Sequence, residues 1–171
     1  PGDAMRGSVW ILGDQLLWDH PALLAASTAS AGGQVVVVLV ESRQLCTHLP
    51  YQRKKLVLLL SAMRHYAAML RERGFTVDYI QAEQTSAGLR QHWQSWQPEA
   101  VYCMEASQYS GRRFQGRLKA LLNVPVHILP NTQFLSGQFD PIPNPQPGKR
   151  YVMENFYRLM RRHFNLLMDA D

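Results

Sequence analysis

Five short apolar runs rich in β-branched residues, separated by longer stretches with helical spacing, constrain the fold of this chain more than any other feature. They are Ser8 to Leu12, Gln34 to Val40, Phe75 to Ile80, Glu99 to Met104 and Val124 to Leu129. Strands apolar at consecutive positions are buried on both faces, as in a parallel sheet covered by helices on each side. The longest helix is predicted from about Pro50 to Arg73, where Leu56, Leu59, Leu60, Met63, Tyr66, Ala67 and Leu70 recur at i, i+3, i+4 spacing and Gly74 supplies a C-cap. Further helices are predicted near Pro21 to Ala29, Thr85 to Trp96 and Tyr109 to Leu122. The expected architecture is a three-layer, doubly wound α/β domain of Rossmann-like type with a five-stranded parallel sheet.

The chain's 171 residues suffice for one such core, burying about 68–70% of the surface exposed by the unfolded chain. Residues 1–139 are assigned to the α/β domain. Pro141, Pro143, Pro145 and Pro147 then make 140–151 an extended, polyproline-like connector. Residues 152–171 hold a terminal amphipathic helix, about Val152 to Met168, with Met153, Phe156, Tyr157, Met160, Phe164 and Leu167 on one stripe and Arg158, Arg161 and Arg162 on another. An apolar stripe placed beyond the sheet is read as a face that a further domain covers.

In an open parallel sheet, ligands sit outside the carboxyl ends of the strands. Here those ends carry Gly13-Asp14-Gln15, Glu41, Gln81, Glu105 and Asn131. Their amides and carboxylates suit a flavin-like or pteridine-like heterocycle with a polyol tail. Polar residues also end strands simply because loops meet water, and both readings stay open on the residues alone. The chain has no G-x-G-x-x-G, no G-x-x-x-x-G-K-[ST] and no G-x-S-x-G, which argues against a dinucleotide fingerprint, a P-loop and a hydrolase elbow.

Six scattered histidines and the two cysteines, Cys46 and Cys103, form no metal-ligand spacing, so no metal is expected. Without a nucleophile or metal beside them, Asp14 and Glu41 are read as hydrogen-bonding groups, and no catalytic residue is assigned. The cysteine usage fits a reducing, cytoplasmic setting. No apolar run approaches the roughly 20 residues that span a bilayer, so no membrane contact is expected.

A net charge of +5 favours an anionic partner. Arg112-Arg113-Phe114 and Lys149-Arg150-Tyr151 could track a phosphate backbone or form solvated basic faces. A stand-alone nucleotide- or nucleic-acid-binding module therefore remains a second reading.

Four segments carry a family resemblance: Ile11-Leu12-Gly13-Asp14-Gln15-Leu16, Arg53-Lys54-Lys55-Leu56, Ser61-Ala62-Met63-Arg64-His65-Tyr66, and Met153-Glu154-Asn155-Phe156-Tyr157-Arg158-Leu159-Met160-Arg161-Arg162. In this order they resemble the N-terminal domain of the deoxyribodipyrimidine photolyase-related proteins, the bacterial iron-sulfur branch of the photolyase/cryptochrome superfamily. The resemblance implies a light-driven flavoprotein that repairs ultraviolet lesions in DNA, typically of the (6-4) type, or senses blue light. It also implies an α/β domain holding an antenna chromophore, 6,7-dimethyl-8-ribityllumazine, followed by a helical domain carrying FAD and an iron-sulfur cluster.

This chain is similar to the antenna half alone. It is expected to be inactive by itself, to contact its own C-terminal FAD domain, and to meet DNA through the full-length protein. Carried over by resemblance, Gly13, Asp14 and Gln15 contact the lumazine ring or ribityl chain, Glu41 accepts hydrogen bonds, and Leu56 faces the chromophore. Lys54, Lys55 and Glu105 are its further neighbours.

Overall fold

Val9, Val37, Val101 and Cys103 belong to strands apolar at nearly every position, and all are buried in the middle of a parallel sheet. The computed structural model describes residues 6–30 and 34–168. In it β1 (Gly7–Trp10) is flanked by β2 (Val35–Ser42) and β4 (Ala100–Met104), while β3 (Thr76–Ala82) and β5 (Val126–Leu129) form the edges. The order is β3-β2-β1-β4-β5, with every pairing parallel. Every residue of β1 and β4 is buried, whereas edge strand β5 is partly exposed along its length, as a strand with only one neighbour must be.

Helices α1 (Pro21–Ala29) and α3 (Arg53–Glu72) pack on one face through Leu23, Ala26, Met63, Tyr66 and Leu70. Helices α4 (Thr85–Trp96) and α6 (Leu118–Leu122) cover the other through Leu89, Leu118 and Leu122. This is the three-layer, doubly wound α/β architecture expected from the alternation of runs. Winding proceeds outward from β1 to β3 and then returns to β4, so the topological switch point falls between β1 and β4.

Several local details differ from the sequence expectation. β2 runs through Ser42, which places Glu41 within the strand. A five-residue helix, α2 (Arg43–Thr47), follows it directly; one turn and a half is too short to show a period. The single helix expected over Tyr109 to Leu122 is two, α5 (Tyr109–Gln115) and α6, interrupted at Gly116 and Arg117. Helix α3 does end as expected. Gly74 takes φ +89°, and the amides of Gly74 and Phe75 reach back to the carbonyls of Arg71 and Leu70 in a Schellman closure.

The chain divides into two compact units, Pro1–Pro130 and Asn131–Asp171. The second begins with a 3₁₀ turn (Leu135–Gly137), and the proline-rich stretch 140–151 lies within it without regular structure. Its helix α7 (Met153–Phe164) stops four residues before the expected Met168, because Asn165 adopts φ 50° and the Leu166 amide closes onto the Arg161 carbonyl. The Phe139 ring stacks on His163 with 3.8 Å between centroids, tying this helix to the segment before it. Among the described residues no helix is long and apolar enough to cross a membrane.

Candidate functional site

Beyond Trp10 the chain leaves β1 through Ile11, whose amide still bonds to the Val38 carbonyl, and then turns tightly, with the Gln15 amide on the Leu12 carbonyl. The turn drives the Gln15 side chain inward at the switch point, where it is 0% exposed. Its Nε2 donates to the backbone carbonyl of Glu105 at 2.8 Å, joining the ends of β1 and β4. Its Oε1 is buried with no hydrogen-bond partner among the described residues. Buried acceptors are satisfied in the great majority of cases, and leaving one unmade costs about 1–3 kcal/mol.

Across the same rim the end of β4 is held by a second glutamine. Gln115 accepts from the Ala106 amide at 2.8 Å and donates to the Met104 carbonyl at 2.7 Å, continuing the strand's pairing with a side chain. Asp14 and Glu105 are exposed beside these anchors.

Helix α3 closes over the corner. A Cβ on Gly13 would stand 2.8 Å from the Met63 sulfur, so any side chain there displaces Met63. Leu56 and Leu60 continue the Met63 stripe toward the helix N-terminus and are half-buried. Because α3 runs back antiparallel to the strands, its first turns overhang the carboxyl rim. Lys54 and Lys55 lie in the first turn, fully outside the core, with the Lys55 ammonium 5.2 Å from the Tyr51 ring centroid. That turn carries no acidic residue, and Gln52 provides no side-chain cap, so three cations meet the positive end of the helix dipole.

Glu41 is the most heavily bonded side chain of the rim. Arg64 donates to it through Nε at 2.8 Å and Nη2 at 3.1 Å, Gln81 donates at 2.9 Å, and the Tyr79 hydroxyl donates to Oε1. These four bonds occupy the roughly four lone-pair sites a carboxylate offers. Burial alone would raise its pKa, but the bonds from Arg64, Tyr79 and Gln81 outweigh burial and hold the carboxyl below its usual range. Burial and the bond to Glu41 together push the Tyr79 hydroxyl up.

The structure thus brings Gly13, Gln15, Glu41 and the Leu56 stripe to one end of the sheet, with Lys54, Lys55, Asp14 and Glu105 around it. A cavity of about 330 Å³ lies at the opposite end of β5, lined by Lys119, Asn123, Val124, Pro125 and Val126.

Sequence reasoning named Gln81 only as a polar strand end and assigned no site role to Arg64, Tyr79 or Gln115. The alternation of β3 puts Tyr79 and Gln81 on the Glu41 face, which is the signal that would have found Tyr79 and joined Gln81 to Glu41. It also missed a relay on the other face: Ser8 Oγ to His92 Nε2 at 2.7 Å, and His92 Nδ1 to Asp78 at 2.7 Å, with the Trp96 indole also on Asp78 at 3.1 Å. The order imitates a hydrolase triad, but Ser8 and His92 are both 0% exposed, so no substrate reaches the hydroxyl. The relay pins α4 to β1 and β3. No group of three or more metal-ligating side chains occurs among the described residues.

Known proteins share this chain's sequence pattern and fold. A (6-4) photolyase of Agrobacterium fabrum is 30% identical over 176 aligned residues, which cover 98% of this chain and 33% of the relative. The crystal structure of a bacterial class III photolyase from Agrobacterium tumefaciens superposes with a TM-score of 0.59 at 21% identity, over 92% of this chain and 32% of that one, and shows a shared fold. The chain therefore spans about a third of the length of these photolyases. Residues 9–171 match the profile of one family in a single stretch: the chain belongs to the deoxyribodipyrimidine photo-lyase-related proteins.

Proposed function

We propose that this chain is the antenna-binding α/β domain of a photolyase-like flavoprotein, holding 6,7-dimethyl-8-ribityllumazine at the carboxyl rim of its sheet. The observation that carries the reading is the meeting of Gly13, Gln15 and the half-buried Leu56 and Leu60 of α3 at the carboxyl end of the sheet beside the switch point, where the Gln15 Oε1 has no partner among the described residues. The residues present fit such a group. Gly13 lets Met63 pack against the backbone of the turn, and the half-buried Leu56 and Leu60 offer an apolar wall to a planar ring. Asp14, Glu105, Lys54 and Lys55 surround it with polar groups for the ribityl chain.

Glu41 contributes by fixing Arg64, Tyr79 and Gln81 rather than by holding free lone pairs toward the ligand. When bound, the lumazine would absorb light and pass its excitation to a flavin; the protein's task is to hold it rigid and dry. That task needs no nucleophile and no proton shuttle.

FAD and the iron-sulfur cluster belong, on this reading, to sequence outside the 171 residues, since the relatives are about three times as long. Repair of (6-4) lesions in DNA, or light sensing, is then a property of the whole protein, with 140–151 and α7 leading toward the FAD domain. Cys46 and Cys103 are free thiols, in keeping with a cytoplasmic location.

The test is a titration of the purified chain with ribityllumazine followed by fluorescence. Saturable binding is expected, with Gln15→Ala weakening it roughly tenfold, the value of one hydrogen bond of about 1.4 kcal/mol. Absence of a saturable change, or unaltered affinity in both Gln15→Ala and Leu56→Trp, refutes the assignment.

A further inference from the structure

The loop that leaves β4 is fastened by side chains at four consecutive carbonyls. Gln115 donates to the Met104 carbonyl at 2.7 Å, Gln15 to that of Glu105 at 2.8 Å, and Arg112 Nη1 to those of Ala106 at 3.1 Å and Ser107 at 2.8 Å. The Ala106 amide is taken as well, by Gln115 Oε1. Arg112 and Gln115 both come from α5, which reaches the loop because of Gly111, where a Cβ would stand 2.6 Å from that of Ala106. The Phe114 ring of the same helix meets Trp10, the last residue of β1, edge-on with 5.6 Å between centroids. The loop is therefore fixed to α5 and to the end of β1 at the switch point. Sealing the core accounts for Gln115, which is 2% exposed and spans buried backbone groups. It does not account for Arg112, an exposed side chain that gives up rotamer freedom to hold a Ser107 carbonyl that water could serve.

We propose that Gly111, Arg112 and Gln115 are positioning residues of the rim site: they fix the backbone of residues 104–107 so that Glu105 meets the ligand's ribityl hydroxyls at one place. This rests on the antenna reading and deepens it by naming what sets the site's preference for a polyol tail. A carboxylate on a free loop loses mobility when it accepts from a hydroxyl, and that loss offsets much of the bond. On a loop already held, the ordering is complete before the ligand arrives. Glu105 is exposed, and its own amide donates to the Leu129 carbonyl at 2.8 Å, so its backbone is held from β5 as well. None of the three positioning residues touches the ligand on this assignment. Gly111 has no side chain, Arg112 is turned to the loop backbone, and Gln115 is buried with both ends engaged. Their influence on binding passes through Glu105.

The test compares two probes on the 171-residue chain by fluorescence titration: ribityllumazine, and its analogue with methyl in place of the ribityl chain. Arg112→Gln, at an exposed site, and Gly111→Ala, which removes no hydrogen-bonding group, are each expected to weaken ribityllumazine roughly three- to tenfold, the range of one misplaced hydrogen bond. Binding of the methyl analogue is expected to stay within about twofold, a selectivity that a general loosening of the fold would not produce. In a Glu105→Ala background both substitutions should lose their effect on ribityllumazine. Circular dichroism monitors folding, and Arg112→Gln carries the test if Gly111→Ala does not fold. Ribityllumazine affinity unchanged in Arg112→Gln, an equal loss for both probes, or a loss that persists without the Glu105 carboxylate overturns the positioning role and leaves the rim reading standing. So does a wild-type chain that shows no preference for ribityllumazine over the analogue. A wild-type chain that binds neither probe overturns both together.

Discussion

Glu41 accepts four hydrogen bonds on one carboxylate, and their donors come from a helix, Arg64, and a neighbouring strand, Tyr79 and Gln81. Its folded pKa is lowered, so the contribution of these bonds is present above the unfolded value near 4.5 and is lost as pH falls through the folded value. Tyr79→Phe removes one charge-assisted bond to a buried acceptor and is expected to cost about 1.5–3 kcal/mol at pH 7 in urea unfolding. The deficit should vanish once the carboxyl is protonated; an equal deficit at pH 2.5 and pH 7 would refute the assignment. Glu41 was legible in the sequence as a polar strand end. The bonds that saturate it were not, because their donors sit 23, 38 and 40 residues away in the chain. Gln15 was legible as a rim residue, but its burial, and an oxygen without a partner among the described residues, follow from the turn after β1 that brings it to the Glu105 carbonyl.

Helix α4 crosses β2 so closely that a Cβ on Gly88 would stand 2.6 Å from Val40 Cγ1 and 3.1 Å from Cγ2. Val40 is β-branched and cannot swing clear without leaving its rotamer. Gly88→Ala is therefore expected to cost about 1–2 kcal/mol net, overpacking outweighing the gain of roughly 1 kcal/mol in helix propensity. A thermal melt showing stabilisation would place the helix farther from the sheet. Among the elements, those with a full period or a full apolar run were readable. α1 and α4 match their predicted bounds, and α3 differs only at its ends, its long stripe being unmistakable. α2, five residues long, and the break between α5 and α6 left no periodic trace. The break is held by tertiary bonds, above all from Gln115 to β4, that no local pattern encodes.

Histidines buried at opposite faces of the sheet add to the whole molecule's response to acid. His20 caps α1 by accepting from the Ala22 amide, and burial lowers its pKa to about 4 from 6.5. Burial lowers the His92 value as well, against the opposing pull of Asp78. Both fold as neutral rings, so stability is fully present above pH 6.5 and falls as the unfolded chain takes up protons below it. His20 alone accounts for about 3 kcal/mol by pH 4. His20→Asn keeps a cap acceptor and removes the proton site, so its stability should fall less between pH 7 and pH 4; parallel curves for the two proteins would exclude His20. Ribityllumazine at a hundredfold excess over its Kd should add about 2.7 kcal/mol and raise the Tm by roughly 5–10 °C. A Tm that does not move would count against the rim as its site. The sequence by itself determined the α/β class, the parallel sheet and the end of it that carries polar groups, because strand and helix periods are local consequences of which side chains must leave water. Only the tertiary structure decided the strand order, the switch point between β1 and β4, the saturation of Glu41 and the stranded acceptor on Gln15. These depend on which distant segments meet, and a hydrogen bond between residues far apart in the chain leaves no period in it to be read.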